Sequence, residues 1–142
     1  MFATRDGEDT LTRRIVEDFH ADGTVSPQRF SASVYNAAPG LWSVFKSNRS
    51  PYTAIAGGED TIECALLEAI SNADGATTFV YAEETGGGYG VAARFCDAPG
   101  ARQIAVCDAQ SAGEPIHFKS WSDFLSGRTR ELCGRWLRLA WL

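Results

Sequence analysis

Between Asp9 and Phe19, the residues Leu11, Ile15, Val16 and Phe19 recur at three- and four-residue spacing, with acids early and Gly23 just beyond. Positions three and four apart share one face of a helical turn, so the pattern predicts an amphipathic helix. Ser26-Pro27 opens a new element, and Pro39-Gly40 interrupts the apolar run from Val34 to Phe45. This predicts a short helix, a break, and a second apolar helix around Leu41 to Phe45. Tyr52 to Ala56 reads as a short strand closed by Gly57-Gly58. A helix from about Glu59 to Asn72 follows. Glu59 and Asp60 suit the positive end of its dipole, and Ile62, Leu66, Ala69 and Ile70 form one apolar face.

Asp74-Gly75 ends that helix. Thr77 to Ala82 is β-rich and nearly all apolar, the pattern of a strand covered on both faces. Gly86-Gly87-Gly88 turns the chain into a strand from Tyr89 to Cys96, and Pro99-Gly100 precedes another from Gln103 to Cys107. Beyond Pro115, the segment from Ser120 to Leu142 is read as helical, with Trp121, Phe124 and Leu125 on one stripe. There is no internal repeat or low-complexity segment. Helix and strand alternating, then adjoining strands, predicts a layered α/β fold without selecting one such fold over another.

A length of 142 residues with 44% hydrophobic content fits one domain with a real core. A net charge of -5 excludes nucleic-acid binding as a leading function, because phosphate contacts need clustered Lys and Arg. The one dense basic stretch, Arg128 to Arg138, alternates with apolar residues and is read as a solvated helix face. Cys64, Cys96, Cys107 and Cys133 are widely spaced and form no CxxC pair. They are read as buried free thiols in a reducing cytoplasm, not as a zinc site or disulfide framework. The start of the chain has no apolar signal core, and no run is long enough to span a bilayer.

Chemistry-bearing residues are few. Strand, turn and helix from Thr53 to Thr61 have the order of a nucleophile elbow, in which a tight turn presents one side chain at a helix N-terminus. Cys64 lies more than a turn inside that helix, too deep for the dipole to activate it. His20 is read as a helix C-cap and His117 as a turn residue. Glu59, Asp60 and Glu63 form an acidic cluster at the helix start; a paired-carboxylate site competes there with a simple dipole contact in solvent, and the latter is preferred. Gly86-Gly87-Gly88-Tyr89-Gly90 lacks the Lys-Ser/Thr of a P-loop and does not complete GxGxxG, so a hairpin connection is the better reading. In Asn36 to Trp42, small residues precede bulky ones. Trp42 and Phe45 are candidates to line an acyl channel or a subunit contact, against a plain packed core. No metal or nucleotide cofactor is indicated.

The stretch from Ser26 to Ala69, SPQRFSASVYNAAPGLWSVFKSNRSPYTAIAGGEDTIECALLEA, resembles the nucleophile region of the β-ketoacyl synthase N-terminal family. It is most similar to the divergent branch found beside type II fatty-acid, polyketide and aryl-polyene genes, which carries a similar Gly-Glu-Asp-Thr. The flanks resemble the family too: Phe2 to Glu8 its strand and turn, Phe79 to Glu84 its next strand, and Trp136 to Trp141 its Trp-rich end. The resemblance implies a shortened N-terminal half of the thiolase-like ketosynthase fold, with residues 1–142 as one domain. It also implies that Ala56, or else Gly57, occupies the position of the acyl-accepting cysteine, so the elbow is degenerate. Catalytic histidines come from a C-terminal half that has no counterpart here. Against the family pattern the chain starts after a segment holding the first strand, which is central in that sheet. Either the fold rearranges or another chain fills the gap.

The function so implied is a non-catalytic ketosynthase-like subunit in a type II acyl-building system. It would pair with an active ketosynthase and shape the acyl pocket, as a chain-length factor does, with acyl carrier protein as an indirect partner. Trp42, Phe45, Tyr52 and Ala54 are the expected pocket or interface residues. Tyr52 to Ala56 is the expected edge strand for a homodimer or a ketosynthase heterodimer, and a cytoplasmic location follows. The alternative is a small acyl-thioester or apolar-ligand binding protein on the same scaffold. A third possibility is unrelated enzyme chemistry at Cys64 or the Glu59–Asp60 pair.

Overall fold

Phe79, Tyr81 and Glu83 alternate along one strand, and all three side chains are buried. The core is built against that face. The computed structural model describes residues 1–72, 75–83, 88–96, 99, 103–108, 114–135 and 137–142. Its elements run β1 (Phe2–Ala3), α1 (Asp9–Asp22), α2 (Pro27–Ala32), α3 (Ala37–Phe45), β2 (Ala54–Ile55), a 3-10 turn (Gly58–Asp60) and α4 (Thr61–Ser71). They continue with β3 (Ala76–Glu83), β4 (Tyr89–Cys96), β5 (Ile104–Asp108), α5 (Phe118–Leu125), β6 (Glu131–Cys133) and β7 (Leu137–Trp141).

Two sheets form. The first has order β2-β1-β3-β4, the second β5-β7-β6. In the first sheet β1 is parallel to both β2 and β3, while β3 and β4 are an antiparallel hairpin from Ala76↔Cys96 to Glu83↔Tyr89. Main-chain bonds tie β1 on both sides: Phe2 and Thr4 donate to the carbonyls of Thr53 and Ile55, and Val80 donates to that of Met1. This sheet is therefore continuous from β2 to β4, with β1 in its interior. The β3–β4 hairpin matches the reading of the glycine run, although residues 84–87 of that run lie outside the described residues.

α4 packs on β1 and β3 through Ile62, Ala65, Leu66 and Ala69, all buried. α5 adds Trp121 and Phe124. Trp121 meets Phe79 edge-on at 5.8 Å and stacks on Phe95 at 6.4 Å, and Phe124 stacks on Trp141 at 4.7 Å. Such pairs contribute about 0.5–1.5 kcal/mol each beyond the area they bury. Leu132, Leu137 and Leu139 close the core from the second sheet.

Several expectations need correction. Ser120 to Leu142 is not one helix: α5 stops at Leu125, Gly127 takes φ +76°, and β6 and β7 follow as antiparallel strands. Leu137 and Leu139 are buried while Arg138 between them is exposed, which is a period of two. The basic stretch is thus a turn and hairpin in which three of the four arginines are paired, Arg128 with Asp123, Arg135 with Asp60 and Arg138 with Glu131. Pro39-Gly40 does not break the apolar run: both sit in the first turn of α3, where proline's missing N–H has no helical partner to lose. β3 is covered on one face only, since Thr78 is exposed and Val80 and Ala82 are half-buried. Cys64, Cys96 and Cys133 are exposed, not buried, and the side chain of Cys107 lies outside the described residues, as does Trp136.

Glu63 overturns the solvated reading of the acidic cluster. Its carboxylate has 0% exposure and accepts backbone N–H bonds from Arg135 at 3.0 Å and Leu137 at 2.8 Å. A Cβ on Gly134 would stand 2.5 Å from Glu63 Oε1, so the turn between β6 and β7 approaches the acid only because that residue is glycine. Glu63→Ala leaves two enclosed N–H groups without an acceptor and is expected to destabilise the chain by about 2–4 kcal/mol, with Glu63→Gln losing less. Urea unfolding of the three proteins checks this; equal midpoints would show that Glu63 does not staple the sheets together.

Candidate functional site

The elbow is formed as its sequence order suggests. Ile55 ends β2, Gly58 turns the chain at φ +61°, and α4 starts at Thr61. Thr61 closes the turn with its hydroxyl, which accepts from Gly57 N at 2.8 Å and donates to Gly58 O at 2.8 Å. Ala56 stands half-buried at the bend and offers only a methyl, and Gly57 offers no side chain. A Cβ on Gly57 would have ordinary contact with Thr61 at 3.5 Å, so the turn has room for a side chain that the sequence does not provide.

Beside the turn, Asp60 Oδ2 bonds Arg135 Nη1 at 3.0 Å while its Oδ1 is buried without a hydrogen-bond partner among the described residues. Glu59 is exposed. The three acids therefore face different surroundings: Glu59 meets solvent, Asp60 a guanidinium, and Glu63 two main-chain N–H groups. That separation does not make a shared-proton carboxylate pair. His20 is exposed in the last turn of α1, and His117 occupies the cap position before α5. The reading of His117 as a turn residue thus becomes a helix N-terminal position.

Trp42, Phe45 and Tyr52 do not pack into the core. They are 54%, 81% and 44% exposed, and neither α1, α2 nor α3 has a single buried residue. α3 lies beside the edge strand: a Cβ on Gly40 would be 3.2 Å from Tyr52 Oη. Next to it an open depression of about 480 Å³ is lined by Val34, Tyr35, Asn36, Tyr52, Thr53 and Ala54. Tyr52 stands on its wall, while Trp42 and Phe45 lie outside it on the exposed surface. Sequence periodicity missed this exposure because an apolar stripe looks the same whether its cover lies within the chain or outside it.

β2 is at the edge of the first sheet. The carbonyls of Thr53 and Ile55 point to β1, and alternation along a strand turns the N–H and C=O of Ala54 outward. An edge of this kind is a ready template for another strand. No helix among the described residues is long and apolar enough to cross a membrane.

Cys64 is exposed on α4, yet its thiol pKa is raised, first by partial desolvation and then by the charges of Asp60 and Glu63. A raised pKa means less thiolate at any given pH, the reverse of an activated nucleophile. Site-resolved iodoacetamide labelling across pH should show Cys64 reacting with a midpoint above that of a free cysteine, about 8.5. A midpoint below it would restore Cys64 as a nucleophile.

Comparison with curated proteins finds no match in sequence. In structure, the chain is similar to a chain of the complex of the ketosynthase ApeO with its chain length factor ApeC from Xenorhabdus doucetiae. The TM-score is 0.73 at 20% identity, over 99% of this chain and 67% of that one. The fold is accordingly the thiolase-like ketosynthase fold, and a third of that relative has no counterpart here. The family model described as β-ketoacyl synthase, N-terminal domain, matches residues 1–84, from β1 through the elbow and α4 to the end of β3. More than half of the chain lies under that match, and the chain belongs to the β-ketoacyl synthase N-terminal domain family.

Proposed function

We propose that residues 1–142 act as one non-catalytic, ketosynthase-like unit that pairs with an active ketosynthase and shapes its acyl pocket, in the manner of a chain-length factor. The observation that carries the reading is the unburied apolar surface running from α1 through α3 to the edge strand β2. Among the described residues, the large apolar side chains that stand exposed all fall between Val16 and Tyr52 except Leu67 and Leu142. Monomeric proteins seldom leave so much apolar surface in one segment, and aromatic anchors such as Trp42 and Phe45 carry most of the energy where two chains meet. The similar solved structure is a ketosynthase in complex with its chain length factor, which supports a partner of the same kind.

The absence of catalysis belongs to the same proposal. Ala56 and Gly57 at the bend have no atom that can hold an acyl group, Cys64 lies on a deeper turn with a raised pKa, and of the two histidines only His117 comes near the elbow, on the rim of a cavity it shares with Gly58 and Glu59. The role is cytoplasmic, with acyl carrier protein met only through the partner. Incubation with acyl thioesters followed by intact-mass measurement is expected to show no adduct; a covalent acyl group near Ala56 would overturn this part.

Association is tested by sedimentation of the chain alone and mixed with an active β-ketoacyl synthase. Ala54→Pro removes an outward donor without touching the β1 ladder, and it should weaken association about tenfold through lost interchain hydrogen bonds. Trp42→Ala should cost about 2 kcal/mol or more of binding and leave unfolding nearly unchanged, since the ring is exposed in the isolated chain. A chain that stays monomeric at high micromolar concentration excludes the homodimer, and one that also ignores the ketosynthase excludes the proposal.

A further inference from the structure

A second concavity lies on the other side of the elbow, between the β1–α1 connection, the 3-10 turn, β3 and the start of α5. Its volume is about 300 Å³, at the lower end of ligand pockets. The floor is apolar and ordered: Ile62 and Ile116 are buried, and Phe118 stacks on Tyr81 at 6.1 Å and 25°. The rim carries Arg5, His117 and Lys119 against one carboxylate, Glu59. Two of these are permanent cations, Arg5 and Lys119, and each has an acidic neighbour just outside the lining, Asp6 and Asp123.

The two permanent cations are available to a ligand. Arg5 faces Asp6 at 3.6 Å and Lys119 faces Asp123 at 3.1 Å, both as pairs on the surface, where about 0–1 kcal/mol holds each together. A competing anion that brings an apolar body adds what those pairs lack, because the body leaves water for the Ile62, Ile116 and Tyr81–Phe118 floor. Three elements far apart in sequence supply this rim, so it is not an accident of one charged helix face.

We infer that this cavity binds a small organic carboxylate with an aromatic or compact apolar body, its head between Arg5 and Lys119 and its body against Tyr81 and Phe118. Burial of the floor limits the ligand to about ten to fifteen non-hydrogen atoms, as the volume holds roughly ten waters. The site is separate from the α1–α3 face and from Ala54, and it does not depend on the subunit proposal.

The test uses 3-phenylpropionate as the probe, with 3-phenylpropanol as its uncharged analogue and inorganic phosphate as charge without a body. Amide NMR titration of the whole chain is expected to show saturable shifts at Gly58, Glu59, His117 and Lys119 with the carboxylate. Affinity should fall about tenfold in the Arg5→Gln, Lys119→Gln double variant. Both side chains are exposed, and the same spectra report whether the variant keeps its fold. No saturable shift at those amides overturns the site. Equal affinity for the alcohol overturns the anionic head, and equal affinity for phosphate overturns the apolar body.

Discussion

A single buried carboxylate holds the two halves of this chain together. Glu63 has no exposed surface, and a charge in such a place is tolerated only when donors surround it. Here the donors are main-chain N–H groups of Arg135 and Leu137, at the turn that joins β6 to β7. One side chain of α4 thereby fixes where the second sheet sits against the first. Gly134 is the steric condition for that approach, and the Asp60–Arg135 pair extends the same contact to the elbow.

Glu83 plays a comparable part at the other end of the core. It is 5% exposed and accepts from the Thr4 hydroxyl and from the backbone N–H of Arg5, while Thr4 in turn accepts from Gly7 N. This fixes the path by which the chain leaves β1 for α1. The loop then meets Tyr35, whose ring occupies the space a Cβ on Gly7 would need. α1, α2 and α3 are thus tethered at their start by Gly7 and Tyr35 and near their end by Gly40 and Tyr52, without a buried residue between.

The resulting division of labour is unequal. Residues from Ala54 onward, with β1, make nearly all of the core, and aromatic stacking from Phe79 through Trp121 and Phe124 to Trp141 closes it. The segment from Asp9 to Tyr52 has helical order and apolar content but turns much of that content outward. Exposed apolar surface of this extent is where burial would still yield hydrophobic free energy. The elbow keeps a tight turn, closed by the Thr61 hydroxyl, with Ala56 and Gly57 at its bend.

Local pattern was enough for much of this. The spacing of Leu11, Ile15 and Phe19 defined α1, Ile62, Leu66 and Ala69 defined the inward face of α4, and the glycine run announced the β3–β4 hairpin. The motif from Ser26 to Ala69 also carried the family and the fold, since these depend on residue types in order. Tertiary structure alone decided the rest. Arg128 to Arg138 reads equally as a charged helix or a hairpin until Asp123, Asp60 and Glu131 are brought within reach of its arginines. Glu63 reads as a solvated acid until Gly134 comes against it, and Trp42 reads as pocket wall, contact face or core until its exposure is seen. Burial is a property of what the rest of the chain does with its surface, and no short window of sequence contains that information.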